Sequence, residues 1–251
     1  MSSLVVMYPR IRKNVLNVCH GGVQYTMTTP SKETTHVLLV MNCEKYAFKA
    51  DTQKKTWLRD MPVPYYHVRG DPHLEEAYEF NHDAHVLMLR VRDDYNALPQ
   101  KVVMAYETIA EYFPRLQYVF KTDDDQVLQP KASAFFASMI RMIDLSIQQQ
   151  SPIHYGGNVV HVSQAYKSKY HTIHPELPQD LPLYPTIYCS GRFYFLSRAA
   201  VEELVKKKKV FADEYLEDYA VGRHLPDAYK SNAKPIATDA LFQDMPNNVV
   251  G

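Results

Sequence analysis

Three consecutive aspartates, Asp123, Asp124 and Asp125, follow the hydrophobic run of "YVFKTDDDQVL" (Tyr118 to Leu128). Adjacent like charges repel and favour no packed core, so the triplet calls for a physical reason. In an extended chain alternate side chains share a face, which would let Asp123 and Asp125 point into one space. Two converging carboxylates repel unless a cation lies between them. Mg²⁺ and Mn²⁺ are commonly held by one or two protein carboxylates, with substrate phosphates completing the shell. The triplet can therefore seat a metal–diphosphate, or it can be a solvated turn in which an aspartate caps the next segment. Other cation and phosphate motifs are missing. "DDDQVLQPKASA" lacks the central Gly and the twelfth-position Glu of an EF-hand. With 8 glycines in the chain, there is neither a Gly-rich phosphate loop nor a G-x-G-x-x-G run. A nucleotide held through metal rather than through a glycine loop is the reading that remains.

The flanking sequence predicts how such a triplet is positioned. "THVLLVM" (Thr35 to Met41), "VPYYHVRG", "HVLMLRV", "QYVFK", "IHYGGNVV" and "FYFLS" read as strands. The first is an unbroken apolar run of the kind buried on both faces of a sheet. "KADTQKKTWLRD" suits a helix, "DPHLEEAYEF" a short one, and Ala132 to Ile147 another. Between Ala97 and Phe113 the residues Leu98, Val102, Tyr106, Ile109 and Phe113 recur at spacings of three and four, an amphipathic helix closed by Pro114. "RAAVEELVKKKK" is a helix whose lysines suit its C-terminal dipole. His161 to Pro185 reads as a long loop, and Val15 to Thr28 as a hairpin around Gly21-Gly22. Strands alternating with helices predict an α/β domain with a mainly parallel sheet. Ligands bind beyond the carboxyl ends of such strands, where the triplet would lie.

Composition narrows the function. The 28 Lys and Arg balance 28 Asp and Glu, so no bulk field draws the chain to nucleic acid or to a membrane surface. No segment approaches the apolar length of a membrane span, and the N-terminus lacks a signal-peptide core. Cys19, Cys43 and Cys189 form neither a zinc pattern nor a disulfide framework. The simplest expectation is a soluble, cytoplasmic protein, or one of the Golgi lumen if an anchor has been trimmed away. The 19 tyrosines can fill a core or stack on sugar and nucleotide rings. His171 and His174 have zinc-like spacing but no third ligand nearby in sequence, and contact with an acceptor is the alternative.

Four ordered blocks give a resemblance. "DDYNALPQKVVMAYETIAEYFPRLQYVFKTDDDQVL" (Asp93 to Leu128) resembles the core of the β-1,3-glycosyltransferases that include the galactosyl- and N-acetylglucosaminyltransferases and Fringe. "YPTIYCSGRFYFLS" (Tyr184 to Ser197) is similar to the family's Y-P-x-Y-x-x-G-x-x-Y-x-L-S, and "LEDYAVG" (Leu216 to Gly222) to its E-D-V-x-V-G. "KADTQKKTW" is a weaker echo of its R-x-x-I-R-x-T-W. The likeness runs from about Val37 to Gly222.

It implies a GT-A type fold: a single domain over 35–251, with a donor half to about residue 130 and an acceptor half after it, preceded by a hairpin-bearing extension over 1–34. It also implies a UDP-sugar donor, a glycan acceptor and Mn²⁺ or Mg²⁺. Asp125 and Asp123 would hold the metal, with Asp123, Asp124 and Lys101 beside the nucleotide. Asp218 would be the general base of an inverting transfer. Tyr188, Gly191, Arg192 and Glu217 would lie on the substrate side, although Glu217 could serve structure and Lys101 could instead form a salt bridge. Where some members place a C-terminal His near the metal, this chain offers Gln243 or Asp244. The competing readings are a carbohydrate-binding module of the same fold and a metal-dependent phosphotransferase.

Overall fold

The computed structural model describes residues 30–245 and, before them, the backbone of two short strands. These strands, β1 (Cys19–His20) and β2 (Val23–Gln24), pair antiparallel. The rest of the hairpin expected at Val15 to Thr28 lies outside the described residues.

The central sheet grows from β3 (His36–Met41), which is buried at every position. β3 runs parallel to β4 (Tyr65–Gly70) on one side and to β7 (Tyr118–Asp123) on the other. Beyond β4 lies β6 (Val86–Leu89), again parallel, with β5 (Tyr78–Asn81) antiparallel at the edge. Beyond β7, the long β12 (Thr186–Ser197) runs antiparallel to both β7 and β9 (Tyr155–Val162), and β13 (Lys234–Pro235) borders β9 in parallel. Four of the seven pairings are parallel. The fold is thus α/β with a mainly parallel central sheet, as the strand–helix alternation predicts.

The pleat divides the core in two. Val37, Leu39 and Met41 face α2 (Leu98–Tyr112), α4 (Arg198–Lys206), α5 (Lys208–Ala212) and α6 (Glu217–His224), while Leu38 and Val40 face α3 (Phe135–Gln148). In α2 the residues Val102, Tyr106 and Ile109 are fully buried, as their spacing on one helical face requires. Phe120, Phe193 and Phe195 pack against Phe135 and Phe136 on the α3 side.

Three segments differ from the sequence reading. Asp71 to Ala77 forms bends rather than a helix and leads into β5. There Phe80 packs against Tyr66 and Phe113, and this packing outweighs the helical pattern of its charged neighbours. β12 begins seven residues earlier than "FYFLS", and its register against β9 shifts between Cys189 and Tyr194, a bulge that bends the strand. The 161–185 segment contains β10 (Tyr166–Ser168) and β11 (Leu181–Leu183), paired antiparallel. At the C-terminus, β14 (Phe242–Asp244) pairs with β8 (Gln126–Leu128), just beyond the aspartates.

Two packing features fix the turn after β7 and the helix that faces it. Gln53, fully buried on α1 (Ala47–Lys55), donates its amide to the carbonyls of Asp123 (3.3 Å) and Gln126 (2.8 Å), bracketing the turn. Its oxygen meets Nε2 of buried His67 at 2.9 Å. Across the sheet, α6 presses on β12 so closely that a Cβ on Gly222 would lie 2.3 Å from the Ile187 carbonyl and 2.4 Å from the Tyr188 Cβ.

Gly222→Ala should therefore cost about 1–3 kcal/mol through overpacking against backbone, read as a lower urea midpoint with an unchanged slope. Burial, with help from Lys54 and His85, lowers the His67 pKa to about 3. Between the unfolded histidine value and about 3 the folded state then binds fewer protons than the unfolded one, so this histidine's contribution to stability is lost as pH falls. His67→Gln keeps a donor for Gln53. It should flatten the fall of the unfolding free energy from pH 7 to 4.5, measured by urea titration, by up to about 1.4 kcal/mol per pH unit.

Candidate active site

The chain turns at Asp124 and Asp125 instead of staying extended, and the three aspartates diverge. Asp124 points back under α1, where Asn42 Nδ2 (2.8 Å) and Lys49 Nζ (3.3 Å) bind its two oxygens. Asp123 points toward β12 and accepts from Lys121 Nζ at 2.7 Å through Oδ1. Asp125 Oδ1 accepts from the Gln126 amide at 2.8 Å, and the same amide reaches Asp244 on β14 at 3.0 Å.

Gly191, in the β12 bulge, brings the second cluster to the first. A Cβ on this residue would lie 3.1 Å from Asp123 Oδ2, 3.4 Å from Lys121 Nζ and 3.7 Å from Asp218 Oδ2. The absent side chain thus leaves a space faced by Asp123 from the strand end and by Asp218 from the first turn of α6. Asp218 is oriented by two backbone donors, Gly191 N–H to Oδ2 at 2.9 Å and Tyr219 N–H to Oδ1 at 2.7 Å. Its neighbour Glu217 turns the other way, into the sheet. There Lys121 Nζ donates to Oε2 at 2.8 Å and the Tyr194 hydroxyl donates to Oε1, itself bonded to Tyr106.

The remaining site residues predicted from sequence are distributed as follows. Lys101 is buried and donates to the Asn42 carbonyl (2.6 Å) and to Asp93 (2.8 Å). Asp93 also accepts from the backbone N–H groups of Gly70 and Glu44, so this pair ties three strand ends together. Arg192 reaches the C-terminal segment, with Asp244 at 2.9 Å, Asp239 at 3.3 Å and the Phe242 carbonyl at 3.4 Å. Tyr188 packs edge-on against Tyr219. Asp123, Gly191 and Asp218 share one space; Asp125 lies across the turn; Asp124, Lys101, Glu217 and Arg192 are engaged within the protein.

Lys121 was missed by sequence reasoning, and it joins the clusters. It is fully buried and also donates to the Gly191 carbonyl at 3.2 Å. Its sequence signal is a lysine inside an apolar strand, two residues before Asp123 and therefore on the same face. Gln53, Tyr194 and Tyr106 were also missed; nothing in their local sequence distinguishes them from packing residues.

The electrostatics follow from one ammonium among several acids. Partial burial raises Asp123 above the usual carboxylate range, Lys121 opposes this, and Glu217 and Asp125 add to it. Asp218 and Glu217 are also raised, in each case chiefly by burial and against Lys121. Asp123 keeps 36% of its side chain exposed, so it remains open to a ligand. Neither Asp123 Oδ2 nor Asp125 Oδ2 has a hydrogen-bond partner among the described residues. No three His, Cys, Asp or Glu side chains among those residues form a closed metal cage. Asp123 Oδ2 and Asp125 Oδ2 are oxygens of the kind a hard dication takes, but the turn that separates the two side chains departs from the shared space expected of an extended chain.

The model of the galactosyltransferase family matches residues 73–234. No curated protein matches. Among solved structures, the chain is similar to a glycosyltransferase involved in the glycosylation of the major capsid of PBCV-1. The identity is 15% and the TM-score 0.46, over 85% of this chain and 94% of that one. The family match covers more than half of the chain, and it includes the aspartate turn, the Gly191 bulge and the start of α6: this protein belongs to the galactosyltransferase family.

Proposed function

We propose that the protein is a metal-dependent inverting glycosyltransferase that moves a sugar from a UDP-sugar to a hydroxyl of a glycan, forming a β-1,3 linkage. The observation that carries this reading is the pair of carboxylates, Asp123 and Asp218, facing one side-chain-free space at Gly191 from opposite elements. Inversion requires a base on the face of the sugar opposite the departing diphosphate. Asp218 fits that role. Two backbone N–H bonds fix its orientation, and burial raises its pKa, which strengthens it as a base. It takes the proton of the acceptor hydroxyl as that oxygen bonds to C1 and the C1–O bond to the diphosphate breaks.

Asp125 and Asp123 would hold Mn²⁺ or Mg²⁺, which when bound neutralises charge on the leaving diphosphate. Lys121 holds Asp123 and Glu217 in place, and Gly191 keeps the space between acid and base clear. Asp124 and Lys101 support the nucleotide side from beneath, through α1 and the Asp93 hub. The domain reading of 35–251 as one unit, donor half first, accords with acids drawn from both halves. No helix among the described residues is long and apolar enough to cross a membrane.

UDP with Mn²⁺ should raise Tm, by an amount equivalent to about 2.7 kcal/mol at a hundredfold excess over Kd, and EDTA should abolish the shift. Asp125→Asn should lose the metal-dependent shift. Asp218→Asn should keep it while transfer falls about 10²–10⁴-fold, measured as UDP release with acceptor present. An unshifted Tm across UDP and both metals would count against the reading. A second test concerns Lys121. Removing one partner of a buried ion pair costs about 3–5 kcal/mol, so Lys121→Met should unfold at markedly lower urea. Adding Glu217→Gln should recover part of the loss, because it removes the acid left unpaired.

A further inference from the structure

The turn that carries Asp124 and Asp125 is held by groups outside it. Its backbone carbonyls at Asp123, Asp125 and Gln126 all accept hydrogen bonds. The first and third are bound by the Gln53 amide at 3.3 and 2.8 Å, and the second by the Met245 N–H at 2.6 Å. The Asp124 side chain is occupied by Asn42 and Lys49. A peptide unit is planar, so a fixed carbonyl fixes its whole plane. With the planes on both sides of the turn held, the direction in which the Asp125 side chain leaves the backbone is held too. Gln53 is fully buried. A buried amide is tolerated only where it is bonded, and here its bonds go to the two ends of the aspartate turn and to His67.

These partners dictate which way the Gln53 amide faces. Carbonyl oxygens only accept, so the NH₂ group must meet Asp123 and Gln126, and the amide oxygen is left toward His67. His67 Nε2 lies 2.9 Å from that oxygen and must donate to it. The ring is therefore the Nε2–H tautomer, and its buried Nδ1 has no partner among the described residues. Burial keeps the ring neutral, as one donor and one lone pair require. A reversed amide would set its oxygen against two carbonyl oxygens and leave its NH₂ group away from the turn. The histidine on β4 thus decides that Gln53, on α1, presents donors to the end of β7.

We propose that Gln53 is a positioning residue for the donor side of the site, oriented by His67, and that it sets the affinity for metal and nucleotide through the direction of Asp125. Neither side chain touches substrate; both act on the carboxylate through the backbone of the turn. A carboxylate already aimed before its ligand arrives loses less freedom on binding, and that saving appears as affinity. The role rests on the transferase reading insofar as Asp125 meets the metal. It adds to that reading two residues from outside the aspartate triplet, one on a helix and one on a neighbouring strand, on which donor binding depends.

The test uses the whole protein in two measurements. In ligand-free NMR, the Asp123 and Gln126 carbonyl ¹³C signals of Gln53→Leu should move upfield, the mark of a lost hydrogen bond to those oxygens. In calorimetric titration with UDP at a fixed excess of Mn²⁺, Kd should weaken about three- to tenfold in Gln53→Leu and in His67→Leu. His67→Gln keeps a donor for the amide oxygen and should restore the unmodified Kd. Ile143→Ala, buried in the second half of α3, should lower the urea midpoint by opening a cavity and leave Kd unchanged. His67→Leu carries the test if Gln53→Leu does not fold. An unchanged Kd in the leucine variants overturns the role, as does an equal loss of affinity in Ile143→Ala. A His67→Gln variant as weak as His67→Leu overturns the part assigned to the histidine. Absence of UDP binding by the unmodified protein overturns the donor reading instead, and carbonyl shifts confined to the turn would then still uphold the clamp.

Discussion

Lys121 lies on the central strand with no surface exposed, and its ammonium is shared between Asp123 at 2.7 Å and Glu217 at 2.8 Å. One positive charge thus serves two acids directly, with Asp218 and Asp125 close enough to raise the same pair. A buried ion pair adds little to stability over an apolar pair of similar volume, yet loss of one partner is severe. The arrangement therefore commits the fold to keeping all members in place. It also leaves local negative charge uncompensated, and every carboxylate that faces Gly191 or Lys121 is pushed upward. Burial and mutual repulsion outweigh the one ammonium at each of these acids, so each binds a proton more readily than a solvated carboxylate does.

The acid cluster is tied to the core beneath it. Glu217 passes through Tyr194 to Tyr106, both fully buried between β12 and α2. The positions of the acids consequently depend on how α2 and α6 pack on the sheet. The bulge in β12 supplies the other half of the geometry. It carries Gly191 across the carboxyl end of β7, and a residue with a side chain there would press on Asp123 at 3.1 Å. On the far side of the turn, Arg192 and Gln126 fasten β14 beside Asp125, so the C-terminal strand forms one wall of the site.

The sheet was legible where a local pattern determined burial. β3 shows an unbroken apolar run and α2 a three–four spacing, and both form as read. The pattern failed at Asp71–Phe80, read as a short helix opening with Asp-Pro, because Phe80 is claimed by Tyr66 and Phe113 from other elements. The Asp123–Asp125 triplet stood out as repelling charges at a strand end, and the Glu217–Asp218 pair only through the likeness of "LEDYAVG" to a family block. The directions their side chains take could not be read, since they depend on a turn and on which face of α6 meets the sheet. Lys121 was hidden for a similar reason: a lysine in a strand has meaning only once its partners, 70 and 96 positions later, are brought beside it.

The contrast between Glu217 and Asp218 shows why adjacency in sequence does not confer interchangeability. Both sit in the first turn of α6, where the helix dipole favours negative charge. Successive residues on a helix project about 100° apart, so one side chain enters the sheet while the other faces the cleft. Glu217 has each oxygen taken by a strong donor, Lys121 or Tyr194, and its proton affinity is used within the protein. Asp218 takes only backbone N–H groups, which orient a carboxylate but leave lone pairs on both oxygens. Asp218 Oδ2 lies 3.7 Å from where a Cβ on Gly191 would sit, and protonation of Asp218 leaves both bonds from Lys121 to Asp123 and Glu217 in place.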